Sequence, residues 1–192
     1  MQLPQKTRES GFTLIELMVT LAVLAIVLAA AVPSFSDFFD KYRLRGAADG
    51  IISLISNARA EAVKTGVDVN IAFNGSSAAW CVGANAGTAP VNGAAATAAT
   101  ACDCTDASKC LVSGQHTAID VGAYPDVTIG VLPDAFVFDS KLGTIVPLGD
   151  SAVTLTSPKG KYDLAVKVNA LGQAQLCRPS DKPVIAGVAV CN

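Results

Sequence analysis

One uninterrupted apolar segment near the start of the chain limits what this protein can fold into more than any other feature. No charged residue occurs between Leu17 and Ser36. A helix over residues 12–32 would be about 30 Å long at about 1.5 Å per residue, which matches the hydrocarbon thickness of a bilayer. The sequence therefore predicts a transmembrane helix over residues 12–32.

A single carboxylate, Glu16, lies inside this apolar segment. An unpaired carboxylate in hydrocarbon costs several kcal/mol, so a residue of this kind is expected to have a partner and a function. Cleavage of the chain after Gly11 would create a new amino group on Phe12. That amino group, supplied by a neighbouring subunit, could neutralise Glu16.

Residues 11–16, Gly-Phe-Thr-Leu-Ile-Glu, follow a short leader and precede the apolar run, and this arrangement resembles the start of type IV prepilins. Members of that family are cut by prepilin peptidase and N-methylated on the new first residue. The resemblance implies a leader peptide over residues 1–11, cleavage between Gly11 and Phe12, N-methylation of Phe12, and a role for Glu16 in assembly.

Two other interpretations of the N-terminal segment remain open. An ordinary secretory signal is cut after its apolar region beside small residues, and the three alanines at residues 29–31 could form that site. An uncleaved single-pass anchor would need an apolar segment of the same length. Neither interpretation explains the glutamate at position 16, so the prepilin interpretation is favoured.

The helix is predicted to continue beyond the membrane segment and to cover residues 12–66. Pro33 should kink it, because proline lacks an N–H and clashes with the preceding turn; pilins often have a proline at this place, which adds to the resemblance. Between Leu44 and Val63 apolar residues recur at three- and four-residue spacing, which indicates an amphipathic helix. Gly66 is a plausible C-cap.

From residue 67 the apolar period changes to two, and Gly, Pro and Asp punctuate the chain at short intervals, which predicts an antiparallel β domain over residues 67–192. Residues 83–110 have little apolar bulk and are expected to form an exposed loop that contains cysteines. The predicted fold class is α+β and pilin-like, with a long N-terminal helix packed on an antiparallel sheet. The strand candidates are 67–73, 79–82, 117–121, 127–131, 135–138, 144–146, 152–156, 162–168, 174–177 and 187–190.

The chain has six cysteines, all after the apolar segment: Cys81, Cys102, Cys104, Cys110, Cys177 and Cys191. An even number on the exported side of a membrane predicts disulfides. Three of them, Cys102, Cys104 and Cys110, could instead form a metal cluster with His116. Their spacing lacks the paired pattern usual for zinc and the compartment is oxidising, so disulfides are favoured, and no metal or cofactor is expected.

Within the pilin superfamily, two blocks resemble the GspH/FimT subgroup. They are Ala-Arg-Ala-Glu-Ala-Val at residues 58–63, and Phe138 followed by Gly143 and Val146. Cys177 and Cys191 lie at the ends of strand candidates and resemble the C-terminal disulfide pair of many type IV pilins, so a bond between them is expected. The remaining four cysteines allow three pairings, between which the sequence does not choose.

No pattern in the sequence indicates an enzyme. His116 is the single histidine and lies in a polar, turn-like context, and neither a phosphate-binding loop nor a telling pair of carboxylates occurs. The net charge of −2 does not suit a general polyanion binder, because nucleic-acid affinity rests on the neutralisation of phosphates.

Three functions remain compatible with the resemblance. The favoured one is a minor pilin at or near the tip of a type IV pilus that helps to initiate assembly. The alternatives are a minor pseudopilin of a type II secretion system and a DNA-binding minor pilin for natural transformation. Transformation-linked members carry a Gly-Arg-x-Arg element, where this chain has Gly-Gln-Ala-Gln at residues 172–175, so Arg178 and Lys182 are left as possible weak DNA contacts.

The resemblance also implies partners and a location. The partners would be other major and minor pilins, prepilin peptidase and the inner-membrane assembly machinery. Before assembly the chain would cross the inner membrane once, with its globular domain exposed to the periplasm. After assembly it would lie in a pilus at the cell surface.

Overall fold

A computed structural model of the chain describes residues 11–87, 102, 104, 106 and 109–192, without the side chains of residues 30–34. These residues belong to two compact units, Met1–Phe39 and Asp40–Asn192. Apart from Gly11, the predicted leader peptide over residues 1–11 lies outside the described residues, as do residues 88–101 of the predicted loop.

One helix, α1, covers Leu14–Thr65 and so contributes to both units. It begins two residues later than predicted because Thr13 is the N-cap: its Oγ1 accepts a hydrogen bond from the backbone N–H of Glu16 at 3.3 Å. At the other end Gly66 has φ of +69° and its N–H donates to the carbonyl of Ala62, which confirms the predicted C-cap. The helix is continuous through Pro33, and the kink there stays a prediction.

Between residues 12 and 28, the first unit presents an almost wholly apolar surface. The large apolar side chains between residues 12 and 28 are all exposed. Among the helices of the described residues, none combines enough length with enough apolar character to cross a membrane. The predicted span over residues 12–32 includes residues 30–32, whose side chains lie outside the description.

The described residues of the second unit form two five-stranded sheets and a short hairpin. The first sheet has the order β5-β2-β1-β7-β8, the second has the order β12-β11-β10-β9-β6, and β3 pairs with β4 in the hairpin. The strands are β1 Val69–Ser76, β2 Ala79–Ala86, β3 Leu111–Val112, β4 Gln115–His116, β5 Ala118–Asp120, β6 Thr128–Ile129, β7 Phe136–Phe138, β8 Ile145–Val146, β9 Ser151–Thr156, β10 Asp163–Val168, β11 Ala174–Arg178 and β12 Ala189–Val190.

Every predicted strand segment overlaps an observed strand. Two expectations need correction, and one hairpin was not predicted. The pairing of β11 with β12 is parallel, because the C-terminal segment loops back before it joins the sheet edge. The sequence did not indicate the hairpin β3–β4. The region predicted as an exposed loop over 83–110 starts as strand, since β2 continues to Ala86, and its three cysteines are buried.

The main core lies between the second half of α1 and the two sheets. Helix residues such as Leu44, Ile51 and Ile55 are fully buried, and each contributes about 1.5–3 kcal/mol by removal from water. Alanines at the same helix face, including Ala47 and Ala58, allow the sheets to approach closely. The single tryptophan, Trp80, is buried in this core, and its Nε1 donates to the Val127 carbonyl at 2.7 Å.

Candidate functional site: the N-terminal segment and the disulfide-bonded surfaces

The predicted processing segment is open in the structure. Among the described residues, no group beyond its chain neighbours lies within 4 Å of the position of a Cβ on Gly11, and Phe12 is 84% exposed. Another protein can therefore reach the peptide bond between them. Cleavage at this bond stays a prediction.

Glu16 lies in the first turn of α1 and is exposed. A carboxylate in the first turn is favoured by the partial positive charge at the helix N-terminus. Its neighbours Leu14, Ile15, Leu17 and Met18 are all more than half exposed. The segment thus presents one acidic group within an apolar surface, an arrangement suited to a partner that supplies a cation and apolar contacts.

The sequence blocks at 58–63 and 138–146 meet at one place in the second unit. Arg59 Nε donates a hydrogen bond to the Gly143 carbonyl at 2.8 Å. A Cβ on Gly172 would lie 2.7 Å from that same carbonyl oxygen and 2.8 Å from Cε1 of Phe138. Arg59 therefore fastens the end of α1 to the turn at Gly143, and the turn at Gly172 packs against the same place.

Glu61 fixes the β3–β4 hairpin to the same end of α1. It accepts a hydrogen bond from the Ser113 hydroxyl, and Lys64 Nζ lies 3.3 Å from its other carboxylate oxygen. The Ser113 hydrogen bond, followed by Lys64, lowers the pKa of Glu61. Glu61 therefore stays ionised at neutral pH and serves as an anchor for the hairpin.

All six cysteines are bonded in the structure. The expected C-terminal pair, Cys177 and Cys191, is joined with a Cα–Cα distance of 4.9 Å. The other bonds are Cys81–Cys104 and Cys102–Cys110, a pairing that the sequence left open. Within the described part of the chain, the close group of possible metal ligands consists of Cys102, Cys104 and Cys110 and does not include His116, which lies exposed on β4.

The two cations named as possible DNA contacts are engaged within the C-terminal loop. Nη1 of Arg178 donates to the carbonyls of Pro179 at 3.3 Å and Lys182 at 3.0 Å. Nζ of Lys182 lies 3.0 Å from Asp163 Oδ2, and this carboxylate raises the pKa of Lys182. Both side chains thus stabilise the loop, and contact with DNA stays a prediction.

The Gly-Gln-Ala-Gln stretch borders a shallow cavity of about 340 Å³ on the surface. It is lined by Ser56, Arg59 and residues 172–175. Arg59 is the one charged group in this lining, and its Nε donates a hydrogen bond to the Gly143 carbonyl. The cavity therefore offers a phosphate a single positive charge, that of Arg59.

Three features of these sites were missed from the sequence. The N-cap at Thr13 had a readable signal, because Thr followed three residues later by Glu is a capping-box pattern. The ion pair between Lys182 and Asp163 joins positions with no local relation in the sequence. The cysteine pairing likewise depends on how β2 and the segment after it fold together.

Comparison with known proteins gives two family matches. The family described as the prokaryotic N-terminal methylation motif matches residues 6–32. The family described as type II transport protein GspH matches residues 47–172, which is more than half of the chain.

A search of curated protein sequences found no match to this chain. A search of solved structures found a similar one. The similar structure is the crystal structure of the type IV minor pilin FimU of Pseudomonas aeruginosa, strain PAO1. The alignment covers 76% of this chain and 96% of that chain, with 16% sequence identity and a TM-score of 0.48.

Proposed function

Because this chain belongs to the GspH family and carries the prokaryotic N-terminal methylation motif, we propose that it is a minor pilin incorporated at or near the tip of a type IV pilus, where it helps to initiate assembly. The observation that carries the proposal is the position of Glu16. It is the single charged residue of an exposed apolar helix segment that directly follows Gly11 and Phe12.

The proposed assembly step pairs Glu16 with the amino terminus of a neighbouring subunit. Prepilin peptidase would cut between Gly11 and Phe12 and methylate the new amino group, which keeps its positive charge. In a low-dielectric surrounding a charge without its partner is costly. A subunit out of register would leave a buried carboxylate unpaired, so the pairing favours subunits in register. The apolar side chains around Glu16 would then pack against adjacent helices.

The three disulfides support a place in a pilus that leaves the cell. Each disulfide is worth about 2–4 kcal/mol by restricting the unfolded chain. Such bonds form in the periplasm and persist outside the cell. Before assembly the protein would be anchored in the inner membrane with the β domain in the periplasm, and its partners would be major and minor pilins, prepilin peptidase and the inner-membrane assembly machinery.

Substitution of Glu16 tests the assembly step. We expect the variants Glu16→Gln and Glu16→Ala to insert and be cleaved normally in the native host but to be absent from sheared pili. Glu61→Gln is the matched control, because it removes a carboxylate from the same helix at a place where the partner is the chain's own hairpin. Normal incorporation of the Glu16 variants would contradict the pairing.

A second candidate function is favoured by the description of the family itself. Type II transport protein GspH points to a minor pseudopilin of a type II secretion system. Deletion of the gene distinguishes the two functions. We expect loss of surface pili with normal export of type II secreted proteins, whereas loss of export with normal piliation would establish the pseudopilin.

DNA binding is the third candidate and is less well supported. The stretch at 172–175 brings no charge, and Arg178 and Lys182 hold the C-terminal loop. The second unit, residues 40–192, should therefore bind duplex DNA weakly at physiological salt. Tight binding in a gel-shift assay, lost on substitution of Arg178 and Lys182 by alanine, would instead identify a DNA receptor.

A further inference from the structure

Four cysteine sulfurs form a buried cluster that is separate from the main core. Cys81, Cys102, Cys104 and Cys110 are each at most 7% exposed and pack with Ala72 and Ala118. Cys81 lies on β2, whereas the other three belong to the segment that follows it. The cluster covers the face of the first sheet opposite to that of Ile71 and Val82, which belong to the main core.

The sheet beneath the sulfurs is made of small residues in register. Gly83 on β2 pairs with Ala72 on β1 and with Ala118 on β5, so three small residues lie side by side across the sheet. A Cβ on Gly83 would collide with Sγ of Cys102 and would lie 2.8 Å from Sγ of Cys110 and 3.4 Å from Sγ of Cys104. The absence of a side chain at Gly83 therefore creates the space in which three sulfurs meet.

Once both disulfides are reduced, the four sulfurs lie close enough together to become ligands of one metal ion. Sγ atoms of Cys102, Cys104 and Cys110 all lie within 4.8 Å of one another, and Sγ of Cys81 is bonded to that of Cys104. Around a zinc ion with Zn–S bonds of about 2.3 Å, four sulfurs lie about 3.8 Å apart. Small side-chain rotations would therefore suffice to place four free sulfurs around one ion.

Backbone contacts that do not involve sulfur also hold the cluster in place. The side-chain amide of Asn74 donates to the Cys102 carbonyl, and the N–H of Thr117 donates to the Cys110 carbonyl at 2.8 Å. The carboxamide oxygen of Asn85 accepts the N–H of Leu111 at 3.1 Å. These hydrogen bonds remain available when the disulfides are reduced.

We propose that the reduced form of the chain binds one zinc ion, or another thiophilic cation, through Cys81, Cys102, Cys104 and Cys110. Every chain is synthesised with free thiols, so this form precedes the disulfides. Starting from the oxidised protein, each disulfide takes two electrons and two protons from a dithiol reductant and gives two thiols. Zinc then displaces the four thiol protons and forms four metal–thiolate bonds.

Cobalt titration of the reduced full-length chain in detergent, under anaerobic conditions, tests the site. Co²⁺ reports tetrahedral thiolate coordination through visible ligand-field bands and near-ultraviolet charge transfer, and Zn²⁺ should displace it. We expect one Co²⁺ per chain. The Cys177→Ser/Cys191→Ser variant should keep the spectrum, whereas Cys102→Ser/Cys104→Ser should lose it.

A glycine variant separates a folded site from chelation by unfolded thiols. Gly83→Ala should weaken binding by about tenfold or more, as expected when groups that position metal ligands are disturbed. Gly149→Ala is the control, since nothing lies within 4 Å of its Cβ position. The proposal is overturned by an absent tetrahedral spectrum in the wild type, by its persistence in Cys102→Ser/Cys104→Ser, by its loss in Cys177→Ser/Cys191→Ser, or by equal affinity in Gly83→Ala.

Discussion

At the scale of single residues, Gly172 shows why a particular residue type is required. Its φ of +75° lies in the left-handed region that L-residues with a side chain rarely adopt. The Gly143 carbonyl that lies against it is also the acceptor for Arg59, so the backbone there cannot shift without loss of this hydrogen bond. Glycine at this position allows the end of α1 and two β turns to meet.

Substitution of Gly172 by alanine should lower the free energy of unfolding by about 2–4 kcal/mol, from the positive φ together with overpacking against Gly143 and Phe138. Gly160→Ala is the matched control, because Gly160 has φ of +68° but nothing within 4 Å of its Cβ position. Its loss should be about 1 kcal/mol. Urea denaturation measures both, and equal losses would contradict the close packing at Gly172.

The anchor at Glu61 predicts a specific dependence of stability on pH. Its folded-state pKa lies below the ordinary value of 4.5, mainly because of Ser113. A lowered carboxylate pKa contributes stability that is present above the unfolded pKa and is lost as the pH falls through the folded pKa. The difference in Tm between the wild type and Glu61→Gln should therefore be largest near neutral pH and should shrink below pH 4.5. A difference that does not change with pH would contradict this role.

At the scale of elements, long regular segments were predictable from the sequence and very short ones were not. The helix and strands such as β10 have enough residues for a period to be visible. Strands β3 and β4 have two residues each and show none; they depend on a turn in which Ser113 and Gly114 both have positive φ. At 83–86 the lack of apolar bulk suggested a loop, whereas Gly83 has no side chain because sulfurs pack against it and Ala84 belongs to the main core.

The N-terminal site was more predictable than the sites of the β domain. Gly11, Phe12 and Glu16 form a local motif, and a local motif can be recognised in the sequence without knowledge of the fold. The bonds Cys81–Cys104 and Cys102–Cys110 depend on tertiary structure, and so does the contact of Lys182 with Asp163. Side chains that pair across the fold leave no signal in a single sequence.

The C-terminal loop should depend strongly on its disulfide. Removal of the bond in Cys177→Ser/Cys191→Ser should lower the free energy of unfolding by about 3 kcal/mol, the value expected for a loop of this length. Val184→Ala is the control, because Val184 lies in the same loop and is 68% exposed. It should leave the stability unchanged. A loss of less than about 1 kcal/mol in the double variant would show that buried Ile185 and the Arg178 hydrogen bonds hold the loop without the bond.

At the scale of the whole molecule, the two units differ in how they use apolar residues. The second unit buries them between α1 and the sheets, whereas the first unit exposes them along the helix from residue 12 to residue 28. A contiguous exposed apolar surface of this size marks a site of contact with protein or membrane. The first unit therefore presents a surface for contact with protein or membrane, whereas the apolar residues of the second unit form its own core.

The mass of the mature N-terminus tests the assignment most directly. Protein isolated from the native host should yield an N-terminal peptide that begins with N-methylated Phe12, because Gly11 supplies the small residue before the cleaved bond and the new amino group is the proposed partner of Glu16 in a neighbouring subunit. A mature chain that begins after Ala31 would show cleavage as an ordinary secretory signal and would contradict the processing on which assembly depends.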